Sequence, residues 1–141
     1  MLITRVILKN WRNFREADVS LREQTYLLGA NASGKSNFLD VFRFLRDISK
    51  PQGGGLQSAI VSRLGLSKLR CLHARQDAKV YIEVHLAEDP DAKIPDWRYI
   101  LEFDFEDKKG STSRRPVITA ESAWKKETLI FERPNNYDGK D

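Results

Sequence analysis

Cysteine is almost missing. Cys71 stands alone among 141 residues, so no disulfide can form within one copy of the chain, and a reducing setting is expected. Its expected role is that of a small buried apolar residue. The two histidines, His73 and His85, have no metal-ligand spacing to Cys71 or to each other, which argues against a structural zinc site. No apolar run approaches the ~20 residues that a membrane-spanning helix needs. Met1–Arg5 carries no hydrophobic signal segment. The expectation is a cytoplasmic protein with no membrane partner. Internal repeats and low-complexity tracts are absent as well. Nor does one sign of charge prevail: 24 basic and 20 acidic residues give a net charge of +4. That balance permits a nucleic-acid partner without demanding one.

What is present is 40% hydrophobic residues, enough for a core, in periodic arrangements. Leu2 to Lys9 reads as a strand, and Ala17, Val19 and Leu21 alternate with polar residues as a half-buried strand does. Thr25 to Leu28 is apolar on both faces, the pattern of a central strand. From Lys35 the period lengthens. Phe38, Leu39, Val41, Phe42, Leu45 and Ile48 recur at helical spacing opposite Asp40, Arg43, Arg46 and Asp47. Pro51 and the run Gly53–Gly55 end that helix. A shorter helix is expected from Leu56 to Leu64. Beyond it the pattern is that of antiparallel strands. Val80, Ile82, Val84 and Leu86 share one face of a strand, as do Trp97, Tyr99, Leu101, Phe103 and Phe105. Ile118, Ala120, Ser122 and Trp124 are assigned to one face of a third strand, and Leu129 to Phe131 form a fourth. Trp97 and Trp124 are expected in the core. Residues 1–50 thus form a loop-and-helix core, 51–78 a helical or irregular connection, 79–133 an antiparallel meander and 134–141 a polar tail. Asn135–Asp141 is turn chemistry directly after a strand. That placement suggests an incomplete domain, part of a longer protein.

The sharpest signal is Gly29-Ala30-Asn31-Ala32-Ser33-Gly34-Lys35-Ser36, a full match to the phosphate-binding pattern G-x-x-x-x-G-K-[ST]. A triphosphate concentrates negative charge, and backbone N–H groups at a helix N-terminus converge on it with the positive end of the helix dipole. Gly29 and Gly34 allow a sharp turn and a close approach, while Ala30, Asn31, Ala32 and Ser33 are small enough to wrap. Lys35 would place its ammonium on the β- and γ-phosphates, which makes it the candidate catalytic residue. The Ser36 hydroxyl would ligate Mg²⁺. Asn37 continues the helix beside the site. A glycine-rich turn that merely caps a helix has no need of the Gly-Lys-Ser triplet. Hydrolysis would need a metal-holding carboxylate too. Asp104 and Glu106 are the nearest candidates, but strict alternation marks their strand as half exposed.

The opening strand followed by Asn10-Trp11-Arg12-Asn13-Phe14-Arg15, and the loop with Ser36-Asn37-Phe38-Leu39-Asp40 after its lysine, resemble the ATPase heads of the RecF, SMC and OLD-like proteins. The likeness is closest to bacterial AAA-family ATPases of this ABC type, and its specific motifs cover about the first 50 residues. It implies an α/β P-loop NTPase fold, here the N-terminal lobe of an ABC-type ATPase, with a P-loop helix and a largely antiparallel β-subdomain. It implies ATP and Mg²⁺ as ligands, a C-terminal lobe carrying the remaining catalytic motifs, and a homodimer of heads around two nucleotides. It places Arg12 and Asn13 near the phosphates or base, and calls for a glutamine at the metal, Gln76 in preference to Gln57. By the same likeness, ATP-gated dimerisation would serve DNA repair, DNA maintenance or phage defence, and this piece alone would be inactive.

Arg63, Lys68, Arg70, Arg75 and Lys79 could track a DNA backbone. Trp11 could stack on adenine. Asp107–Gly110 fits D-x-x-G but reads as a hairpin turn. The competing classes are a non-catalytic nucleotide-binding regulatory module and a small-molecule P-loop kinase. The latter predicts parallel βαβ repeats after the loop.

Overall fold

The computed structural model describes residues 1–31, 33–69, 79–106 and 115–134. Six strands, β1 (Leu2–Trp11), β2 (Phe14–Ser20), β3 (Val80–Ala87), β4 (Trp97–Glu106), β5 (Arg115–Lys125) and β6 (Thr128–Arg133), form one sheet. Their order is β2-β1-β3-β4-β5-β6, and every neighbouring pair is antiparallel. Three helices, α1 (Lys35–Ser49), α2 (Leu56–Val61) and α3 (Leu66–Leu69), fall between β2 and β3. No parallel pair exists among the described strands, so the kinase expectation of βαβ repeats is not met.

Alternation builds the core. Val6 and Leu8 of β1, Val80, Ile82 and Val84 of β3, and Leu101 and Phe103 of β4 are all buried in one cluster with α1. The helix contributes Phe38, Val41 and Phe44. Spaced three apart, these residues define a narrower stripe than the sequence suggested. Leu39, expected on that face, is exposed, whereas Phe44 is fully buried between Trp11 and Phe103, at ring distances of 5.1 and 5.5 Å. Each such aromatic removes much apolar surface from water, worth roughly 25 cal/mol per Å².

The opposite face of the sheet carries charge in balanced pairs. Arg5 forks onto Asp18 with contacts of 2.8 and 2.6 Å. Glu83 accepts from Tyr81 and lies 2.7 Å from His85 Nε2. The His85 contact, helped by the Tyr81 hydroxyl, holds the Glu83 carboxyl below its usual range despite burial. Burial, then the hydrogen bond to Glu83, pushes the Tyr81 hydroxyl up.

Three sequence expectations are corrected here. First, Ile118 and Ala120 lie on opposite faces, not one. The register shifts between Glu102 and Phe103, so Thr119 is an extra residue. Ile118 thereby pairs with core Phe103 while Ala120 pairs with Glu102. A bulge of this kind cannot be seen in an alternating pattern. Second, Trp97 and Trp124 are not core residues. Trp97 is exposed with Lys125 over its ring, and half-buried Trp124 carries Arg98 at 4.8 Å. Third, Thr25–Leu28 is not a strand. It lies outside the sheet, with Tyr26 80% and Leu28 90% exposed. A strand needs hydrogen-bonding neighbours, and none of the described strands pairs with it.

The outermost strand, β6, is exposed throughout. A register shift leaves Ile130 as an extra residue within it. Such a bulge blunts an edge that would otherwise template pairing with another chain.

Candidate phosphate-binding site

The chain leaves Leu28 and turns at Gly29 into the loop. Ser33 N–H donates to the Ala30 carbonyl at 3.2 Å, closing a tight turn. Gly34 then takes the left-handed conformation, φ 102°, as the residue preceding α1. Its carbonyl accepts the first helical bond, from Phe38 N–H at 2.8 Å. No side chain caps this end of α1, and no acidic residue sits in its first turn. The free N–H groups and the positive helix end are therefore left for an external anion.

Asn31, Ser33, Gly34, Lys35, Ser36 and Asn37 line an open cleft of about 160 Å³. That is well below the roughly 300–1,000 Å³ of sites that enclose a drug-sized ligand. It suits the phosphates of a ligand whose remainder lies outside. The Lys35 ammonium bends back onto the loop, donating to the Gly29 carbonyl and, at 3.2 Å, to the Ala30 carbonyl. Ser36 is exposed at the cleft. Backbone amides, one ammonium and two serine hydroxyls line it, a set of groups that fits a polyphosphate with its magnesium ion.

The turn between β1 and β2 presses against this loop. Asn37 Nδ2 donates to Asn13 Oδ1 at 2.9 Å, and Trp11 Nε1 donates to the Asn37 carbonyl at 2.8 Å. A β-carbon at Gly34 would lie 2.5 Å from Asn13 Nδ2 and 3.0 Å from the Phe14 ring. Asn13 thus backs the loop rather than lining the cleft. Arg12, expected beside the phosphates, instead places Nη2 on Asp40 Oδ2 at 2.7 Å. Trp11 is fully buried, so it is not available to stack on a base.

Sequence reasoning missed the role of Arg63. Its side chain is 8% exposed, and the guanidinium grips both Asp40 (2.9 Å) and Asp47 (3.0 Å) while lying over the Phe44 ring. Burial opposes ionisation of Asp40, but the Arg63 and Arg12 hydrogen bonds outweigh it and hold its carboxyl below the usual range. Lys50, Arg46 and Arg63 hold Asp47 lower still. Asp40 and Asp47, seven residues apart on one helix, share a face. That spacing was the available signal. The network fastens α2 to α1, and of the basic residues considered for a DNA backbone Arg63 is paired with these aspartates and Lys79 with Glu102 at 3.3 Å. Lys68 is exposed, and Gln57 is exposed on α2, outside the cleft. Ala32, Arg70, Cys71, His73, Arg75, Gln76, Asp107–Gly110 and Asn135–Asp141 lie outside the described residues.

Two comparisons bear on the whole. A family model described as AAA ATPase domain matches residues 1–141. Over 47 residues the sequence is 38% identical to the endonuclease GajA of Bacillus cereus (strain VD045), a match covering 33% of this chain and 8% of that relative. No described helix is long and apolar enough to cross a membrane.

Proposed function

The chain belongs to the AAA ATPase domain family, and on that premise we propose that Gly29–Asn37 binds the phosphates of ATP together with Mg²⁺. Nucleotide binding follows from the family. ATP as the particular ligand rests on the cleft described above: amide donors at an uncapped helix end, with a lysine and a serine hydroxyl beside them. In this reading the loop amides from Gly34 onward hold the phosphate oxygens, and the Lys35 ammonium leaves its two carbonyls for them. The Ser36 hydroxyl would be a ligand of the magnesium ion, whose chemistry is to neutralise charge on the phosphates. Gln76 is proposed as a further ligand from the family resemblance alone.

Hydrolysis is proposed for the completed ATPase: a C-terminal lobe of the same protein, and a second head closing on the nucleotide. Two observations support a missing partner surface. No carboxylate lines the cleft among the described residues, and the apolar chain Tyr26–Leu28, which leads into the loop in sequence, is exposed. A cytoplasmic setting is part of the same reading. So is action on DNA, which rests on the endonuclease relative and on the ATPase families the sequence resembles. The same lack of a carboxylate favours a second reading, a nucleotide-binding regulatory module without turnover.

Calorimetry on the full chain tests the first step. Magnesium ATP is expected to bind, and Lys35→Ala to weaken it at least tenfold, because a charge-assisted hydrogen bond to phosphate is worth about 1.5–3 kcal/mol. Equal affinity of the two proteins would refute the site. Phosphate release by the complete polypeptide, with and without DNA, separates the ATPase from the regulatory module.

A further inference from the structure

We infer that Asn13 is a positioning residue for the phosphate loop, acting through Gly34 and Asn37; this rests on the phosphate-binding reading above. Three contacts close a small circuit between the core and the cleft. Trp11, fully buried against Phe44, donates its indole N–H to the Asn37 carbonyl at 2.8 Å. Asn37, which lines the cleft, donates its amide to Asn13 Oδ1 at 2.9 Å. Asn13 in turn occupies the space where a β-carbon of residue 34 would stand, 2.5 Å from its own Nδ2.

Each contact removes a freedom that the loop would otherwise spend on binding. Gly34 at φ 102° sits in a region where glycine moves easily. The Asn13 amide behind it, with the Phe14 ring 3.0 Å from the same point, blocks displacement away from the ligand. The Asn37 amide is fixed in orientation because one of its two N–H groups is committed to Asn13. The other N–H remains for a ligand. Ordering of this kind before binding lowers the entropy cost of binding. Asn13 itself is exposed on a two-residue turn, so the fold does not depend on it for packing. Gly34 is therefore needed twice, for its backbone angle and for the room it leaves Asn13.

The test is calorimetric titration of the full chain with magnesium tripolyphosphate and with magnesium ATP, for wild type, Asn13→Ala, Asn37→Ala and the double variant. Asn13→Ala is expected to weaken both ligands by the same factor, about fivefold, the change that one net hydrogen bond gives. The double variant should bind no worse than the weaker single variant, since either change opens the same circuit. The melting temperature without ligand should stay at the wild-type value, which a merely structural role would not leave unmoved. Unchanged tripolyphosphate affinity in Asn13→Ala would overturn the inference, as would losses that multiply in the double variant. A wild type that binds neither ligand would instead remove the phosphate reading, and the inference with it. Should Asn13→Ala fail to fold, Asn13→Ser carries the same comparison, since its shorter side chain cannot reach Asn37.

Discussion

The centre of the sheet and the segment leading into the loop treat similar residues in opposite ways. Val80 and Ile82 are 0% exposed and Val84 5%, whereas Tyr26 is 80% exposed and Leu28 90%. Both stretches read as strands by composition. One has β1 and β4 on its two sides and α1 across its face; the other has no strand beside it among the described residues. Apolar content sets what a segment would gain by burial, and neighbours decide whether it is buried.

That contrast can be broken at its strong end first. Phe44→Ala should cost about 3–5 kcal/mol in chemical denaturation, because a fully buried ring between Trp11 and Phe103 leaves a cavity that little can fill. A loss under 1 kcal/mol would mean that α1 is not seated on the sheet as described. Arg63→Ala should cost less, about 2 kcal/mol, since Asp40 keeps Arg12 and Asp47 keeps Arg46 and Lys50. The same network gives a pH dependence. Asp40 and Asp47 both have carboxyls held below their unfolded range. Their contribution is fully present above about pH 4 and is lost as pH falls through the lowered native values. Denaturation midpoints should therefore drop below pH 4, and Arg63→Ala should flatten that drop. An unchanged profile in the variant would assign the acid sensitivity elsewhere. At the weak end, Leu28→Ser should change stability by less than about 0.5 kcal/mol. A larger loss would show that the segment has a neighbour in solution, and would erase the contrast.

What could be read from the sequence follows the same division. The loop was legible because its chemistry is local: the sharp turn expected at Gly34 is made there, in the left-handed conformation, directly before α1. The strands β3 and β4 were legible because each alternates along its own length. Features set by partners far away in sequence were not. Phe44 was passed over because its burial depends on Trp11 and Phe103, 33 and 59 positions distant in the numbering. The extra residue Thr119 swaps the faces of β5 through a mismatch with β4 that neither strand displays alone. Arg12 has a plausible reach toward the cleft by position, but its direction is set by Asp40, a residue of the helix that follows the loop.

The Lys35 ammonium, resting on two carbonyls of its own loop, bears on which anions can compete for this protein. Part of its charge is already answered by those dipoles. A chloride ion or a single sulfate offers it little in exchange. A ligand must bring enough negative oxygens to replace both carbonyls and engage the helix end at once. If the loop binds phosphate as proposed, condensed phosphates should therefore compete better for it than the simple salts of its surroundings.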